Sequence, residues 1–350
     1  MSIQILARRK LGFKDEEAED FRQTLQKTKA EVQKVIVGLG EEIDSILMGL
    51  LSAGAGRGHV LFEGEPGTGK TLLVKALAMA TDLKVGRIQG TSDIRPDNIL
   101  LSYNVLGEAK EVKLEDMKIG RGVIFCELLF TDELNRLTQK TQAALLEAMQ
   151  ERQVTFEKEQ IPLGNTFVVM GTQNPNETTQ SVNPLTAAGM DRFSLKIHVL
   201  FPEKEKLIGI GSRDQREKKL EQVLRKEELV KWRDLIFENI AMRATKESVT
   251  MNYMANLVLA ARRHPAWRQG PTPRAIEDLK ICSSVHAFMA GHDKIRQQDI
   301  KEIAPWVFNG RLYINRARAK DAGIPEGSAN QMLEGVIRQI LDSVPFLETP

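Results

Sequence analysis

Apolar residues recur along this chain at two different spacings, and the changes between them divide it into segments. Within residues 14–35, Phe21, Leu25, Val32 and Val35 stand at helical intervals among charged neighbours, which predicts a surface helix leading into a folded domain. From His59 to Phe201 the apolar residues gather instead into short runs: His59–Phe62, Lys84–Gln89, Leu128–Phe130, Phe167–Met170 and Lys196–Leu200. Helical stretches and Gly or Pro turns separate them. Runs this short, alternating with helices, predict βαβ units and an α/β domain whose five-stranded parallel sheet is covered on both faces.

Pro202 punctuates the chain, and eighteen of the residues from Glu203 to Asp234 are charged, ten positive and eight negative. Leu207, Ile210, Leu220, Val223, Leu224 and Val230 sit among them at helical intervals, as on a solvated helix. Tyr253–Arg263, Arg274–Ala290 and Gln297–Leu312 then repeat apolar residues three and four apart, and Thr272-Pro273 is a start signal for the second of these helices. The last third therefore reads as a small helical domain. Met332, Leu333, Val336, Ile337, Ile340 and Leu341 predict one more helix near the end.

A length of 350 residues suits about two domains, and 42% hydrophobic with 27% charged residues is a globular composition. The formal charge is only +2, which argues against a dedicated nucleic-acid binder or a polybasic membrane anchor. No apolar run has the length of a signal or membrane segment, so the expected location is cytoplasmic. Cys126 and Cys282 are far apart, with no second cysteine or histidine at metal-ligand spacing, so neither a disulfide framework nor a zinc site is expected. His59, His198, His264, His286 and His292, like Trp232, Trp267 and Trp306, read as structural residues.

The strongest local motif is Gly64-Glu65-Pro66-Gly67-Thr68-Gly69-Lys70-Thr71, which satisfies G-x-x-x-x-G-K-[ST] between a predicted strand and a helix that begins at Leu72. Glycines let the backbone wrap a phosphate chain, while N–H groups and the helix N-terminus supply the counter-charge. Lys70 is expected to reach the β- and γ-phosphates and the Thr71 hydroxyl to bind magnesium. Leu128-Leu129-Phe130-Thr131-Asp132-Glu133 places two acids at a strand's carboxyl end, where ligands of open α/β sheets bind. Asp132 is then the expected magnesium holder and Glu133 the group that polarises the attacking water. Thr172-Gln173-Asn174-Pro175 ends another strand, so Asn174 is expected to hydrogen-bond the γ-phosphate or the water; an Asn-Pro pair is otherwise a turn initiator.

Together with Asp132-Glu133-Leu134-Asn135-Arg136, Lys140–Met149 and Asp191-Arg192-Phe193, these motifs resemble the MoxR family of AAA+ ATPases over roughly residues 34–315. The resemblance implies a P-loop NTPase with a helical lid: an extension over 1–33, the nucleotide core over 34–201, the lid over 202–320 and a helical tail over 321–350. It places Val37 and Gly38 at an adenine pocket, although Leu39 stands where a glutamine is usual. Arg192 matches an arginine offered across a subunit boundary, and Arg274 the lid arginine that reads the nucleotide. Arg136 and Arg152 are further candidates for the intersubunit role. From the residues alone, Arg192 also suits an ion pair with Asp191, and Arg274 a helix-surface charge. Pro184–Met190 departs from the family just before Arg192.

The resemblance further implies Mg2+ and ATP, a homo-oligomeric ring of six subunits, and protein clients, among them a partner carrying a von Willebrand factor A domain. It also implies two inserts. Ile94–Gly120 is expected to carry strands at Ile99–Val105 and Glu111–Leu114 around Gly107, and Gln153–Leu163 a hairpin tipped by Glu157-Lys158-Glu159. One lysine between two glutamates is a poor nucleic-acid finger, which favours protein clients. The alternatives are a nucleic-acid-remodelling motor and an ATP-binding switch without turnover.

Overall fold

The computed structural model describes residues 15–54, 56–65, 67–105, 117–156, 159–174, 182–212, 219–267 and 270–347. Among the described residues the strands are β1 (Val60–Gly64), β2 (Val85–Gln89), β3 (Leu101–Val105), β4 (Met117–Arg121), β5 (Leu128–Asp132), β6 (Gln153–Phe156), β7 (Glu159–Pro162), β8 (Val168–Gln173) and β9 (Leu195–Val199). Five of them form one parallel sheet in the order β2-β5-β8-β1-β9, and each falls on one of the apolar runs. The register aligns Gln89 with Asp132 and Glu63 with Gln173 and His198, so the carboxyl ends of the strands share one edge.

Side chains alternate across this sheet with the period of two that a strand imposes. Val60, Phe62, Leu128, Phe130, Val168 and Met170 enter one core, which continues into the N-terminal helices and the lid. Leu61, Leu129 and Val169 enter the other, with Met149, Phe167 and Phe193. Burial on both faces is why these strands read as unbroken apolar runs.

Around the sheet lie α1 (Asp15–Gln33), α2 (Gly40–Leu51), α3 (Lys70–Ala80), α4 (Pro96–Leu100), α5 (Gln139–Glu151), α6 (Ala187–Met190) and α7 (Lys204–Gly211). The helices that follow are α8 (Lys226–Ile236), α9 (Met242–Ala244), α10 (Ser248–Arg263), α11 (Arg274–Met289), α12 (Gln297–Asn309), α13 (Arg316–Asp321) and α14 (Ala329–Ser343). Helix α1 is more than a surface lead-in. Its Phe21 stacks on Trp232 of α8 at 5.2 Å, and Trp232 meets Phe288 of α11 at 5.3 Å, so the first helix is welded to the lid. The apolar face of α14, from Met332 to Leu341, is buried in the same core.

Two local expectations need correction. In the first insert Ile99 and Leu100 belong to α4, because Asn98 Oδ1 accepts the Arg95 N–H and starts a helical turn. The strand that pairs with β3 is β4 at Met117–Arg121, whereas Gly107 and Glu111–Leu114 lie outside the described residues. In the charged run α7 buries none of its residues, as a solvated helix would, whereas Leu220, Val223 and Leu224 lie outside any helix, with Leu220 and Leu224 buried. The second insert forms the hairpin β6–β7, with Glu157 and Lys158 of its tip outside the described residues. No described helix is long and apolar enough to cross a membrane.

Candidate nucleotide site

At the shared edge β1 ends in Gly64, and the chain turns through Gly67 and Gly69, at φ +80 and +87, before α3 begins at Lys70. Only glycine holds that left-handed conformation without strain. The turn forms one wall of a cavity of about 370 Å3, and Asp132, Glu133, Thr172 and Asn174 form the opposite wall. Glu65 flanks the turn, and Pro66 lies outside the described residues. Lys70 Nζ donates to Gly64 O at 3.1 Å, Glu65 O at 2.7 Å and Thr68 Oγ1 at 3.0 Å, so the ammonium is held over the loop's own carbonyls. Burial pushes its pKa below the ordinary value, against the pull of Asp132 and Glu133.

The two acids occupy different environments. Asp132 accepts from Thr71 Oγ1 at 2.9 Å and Thr172 Oγ1 at 2.7 Å, and Arg87 lies 3.4 Å away. A threonine hydroxyl beside a carboxylate is a hard oxygen donor set, which fits magnesium. Glu133 follows with φ +52, a left-handed backbone that is unusual outside glycine. Its N–H donates to Thr172 Oγ1, and its carboxylate accepts from Gln89 Nε2 at 3.0 Å and pairs with Arg136 Nη1 at 3.2 Å. Gly90 makes that turn possible, because a Cβ there would lie 2.1 Å from Glu133 O.

A second cavity, of about 740 Å3, adjoins the first along Gly67, Thr68, Gly69 and Leu72. Val37 and Gly38 line it, together with His198, Phe201 and Lys206. Beneath it Glu63 bonds Lys196 at 3.0 Å and His198 at 3.1 Å. Burial works to raise the Glu63 pKa, but the His198 hydrogen bond and the Lys196 charge outweigh it and hold the carboxyl at about 2.

Neither Arg192 nor Arg274 lines either cavity. They lie together at a third hollow, of about 280 Å3, with Asp191, Thr272 and Gln150. Burial and the charge of Arg274 both lower the Arg192 pKa, as expected for two cations brought together. Arg192 Nη1 donates to Ala188 O at 2.6 Å, whereas Asp191 turns its carboxylate to Arg311 and Thr272. Of the two remaining candidates, Arg136 is paired to Glu133 in the first cavity. Arg152, at φ +53, donates to Gly164 O at 3.0 Å in a separate hollow beside Arg233 and Asn165.

Sequence reasoning did not find Gln89, Arg87, Thr172 or Arg311. Gln89 and Thr172 had a readable signal, since each ends or nearly ends a strand of the sheet. Arg311 had none, because its partners lie 120 and 33 positions away.

Comparison with known proteins agrees with this architecture. Residues 59–195 match the ATPase family associated with various cellular activities, and residues 259–332 match the AAA lid domain. The chain is 32% identical to Chaperone MoxR1 of Mycobacterium tuberculosis over 92% of its own length and 84% of the relative's. It is 26% identical to Protein MoxR of Methylorubrum extorquens over 93% and 96%. A crystal structure from Cytophaga hutchinsonii superimposes with a TM-score of 0.80 at 30% identity, covering 95% of this chain and 98% of the other. With an AAA domain, its lid and near full-length likeness to MoxR1, the chain belongs to the MoxR family of AAA+ ATPases.

Proposed function

We propose that this chain hydrolyses Mg-ATP in a homo-oligomeric ring of six subunits and uses the cycle to remodel or mature protein complexes, including a partner with a von Willebrand factor A domain. The observation that carries the proposal is the separation of two sets of groups. Gly64–Thr71, Asp132, Glu133 and Asn174 surround one cavity, while Arg192 and Arg274 share another. Two cations held together, with no carboxylate among the described residues bonded to Arg192, suit a triphosphate presented by a second copy.

In this reading the nucleotide core spans 34–201 and the lid 202–320. Val37, Gly38 and Leu72 receive the base. The N–H groups of the Gly67–Thr71 turn cradle the phosphates, and Lys70 leaves the loop carbonyls for their oxygens. Thr71 and Asp132 hold magnesium, which supplies charge neutralisation of the phosphates when bound. Glu133 takes a proton from the attacking water, and Asn174 orients that water or the γ-phosphate. The exposed Leu200, Phe201, Leu207, Ile208 and Ile210 beside the base pocket support a neighbour covering that side. The name of the relative MoxR1, a chaperone, supports protein clients.

The test is phosphate release per subunit against protein concentration, with assembly followed by light scattering. Specific activity is expected to rise with assembly, and a flat profile would refute the ring-dependent site.

A further inference from the structure

Arg311 follows α12 and is almost completely buried. Its Nε donates to Asp191 Oδ1 at 2.8 Å and its Nη2 to Asp191 O at 3.2 Å and Asp278 Oδ2 at 2.5 Å. Nη1 donates to Val307 O at 2.6 Å and Ser194 O at 3.4 Å. Asp191 accepts a further bond from Thr272 Oγ1, at 2.9 Å to Oδ1 and 2.8 Å to Oδ2. Asp278, on α11, also accepts from Arg57 Nη1 at 2.9 Å and Ser194 Oγ at 2.8 Å.

The network has a direction. Asp191 is the residue before Arg192, and Thr272 lies two before Arg274 and accepts its N–H at 3.3 Å. One carboxylate therefore fixes the backbone from which each arginine projects, one arginine on the core and the other on the lid. A planar five-donor fork can hold a core loop, a lid helix and its own helix end together, and a lysine cannot.

We infer that Arg311 is a positioning residue that sets Arg192 and Arg274 as a pair through Asp191. The inference rests on the reading that these arginines complete a neighbouring copy's site. It predicts that Arg311→Lys leaves the subunit's own phosphate-loop cavity intact and spoils only what that subunit offers its neighbour.

The test mixes subunits and reassembles them. Lys70→Ala removes a subunit's own site and keeps its arginines. Arg311→Lys alone is expected to fall at least about tenfold in turnover with nucleotide affinity unchanged. Mixing it with inactive Lys70→Ala restores activity, because Lys70→Ala lends its arginines to the Arg311→Lys cavity. A merely misfolded subunit would not be rescued.

Arg192→Ala mixed with Lys70→Ala is the reference. If that pair fails to recover, the neighbour reading itself is wrong. If it recovers and Arg311→Lys does not, the positioning inference is wrong. Thr272→Val removes one link to Asp191 without unpairing Arg311, and is expected to fall about threefold or more and to be rescued likewise. Parental turnover in folded Arg311→Lys, or in Thr272→Val should Arg311→Lys not fold, overturns the inference.

Discussion

Around the phosphate loop the polar groups sit at strand ends or at the start of α3 and meet one another there: Thr71 on α3 and Thr172 on β8 donate to Asp132, and Gln89 on β2 donates to Glu133 beside β5. Around Asp191 and Arg311 the partners come from the end of α6, the turn before α11, α11 itself and the turn after α12. The first region needs only a correctly paired sheet and the helix that follows β1. The second needs core and lid to be packed on each other, since Arg311 bonds both at once. A defect on the strand edge should therefore stay within one copy, whereas a defect on the arginine side should be felt by another.

The largest effect is expected from Arg192→Ala. Loss of an arginine finger lowers turnover by about 10³ to 10⁵, and nucleotide binding to the isolated subunit should be unchanged, because Arg192 lines neither nucleotide cavity. Equilibrium binding of a fluorescent ATP analogue beside steady-state phosphate release separates the two; weakened binding would place Arg192 within its own copy's site. Next comes Glu133→Gln, which keeps a hydrogen-bonding partner for Gln89 and removes the basic carboxylate. General-base loss predicts a fall of about 10² to 10⁴ with ATP still bound, measured in a single-turnover assay. Undiminished turnover would transfer the water-activating role to another group.

The same contrast explains what could be read from the amino acids alone. Five apolar runs gave five strands in place because strands buried on both faces leave no polar alternation to confuse the pattern. The loop, Asp132, Glu133 and Asn174 were visible because strand-end chemistry is local. Gln89 ends a strand as they do, but its partner Glu133 lies 44 positions away, so its role emerges only once β2 is paired with β5. The placement of Arg274 beside Arg192, outside the nucleotide cavities, and the hub at Arg311 are tertiary facts. They depend on how α11 and α12 dock, and no spacing in the chain encodes that. The charged run misled at Leu220, Val223 and Leu224 for a related reason: their helical spacing belongs to an irregular segment, which a bridge from Leu224 to Thr81 ties to the end of α3.

A smaller effect concerns acid. Glu63 is held at about 2 against an ordinary value of 4.5, so its folded form is depressed relative to the unfolded chain. The stabilisation is present above the ordinary value and is lost as pH falls from there toward the folded value. That amounts to on the order of 3 kcal/mol, and it lies on the strand edge under the second cavity. Chemical denaturation at about pH 6 and pH 3 should show most of that loss, on the order of 2 kcal/mol, and Glu63→Gln should make the slope shallower. An unchanged slope would mean that the Glu63, Lys196 and His198 cluster is not coupled to folding.

The smallest effect supplies the control that the arginine side requires. Ser328 Oγ accepts the Gln331 N–H at 3.2 Å and Gln331 Oε1 accepts the Ser328 N–H at 2.9 Å, a reciprocal cap at the start of α14. Neither residue lines a nucleotide cavity or the arginine hollow. Ser328→Ala should cost about 1 kcal/mol and lower the melting temperature by about 1–3 °C, leaving turnover at 25 °C at the parental level. Thr272→Val removes a hydrogen bond of similar worth, but from the carboxylate that fixes both arginines. At matched losses of stability, only Thr272→Val should slow hydrolysis. Should Ser328→Ala slow it equally, the arginine side would be sensitive to lid stability in general, and the special place given to Asp191 and Arg311 would be unnecessary.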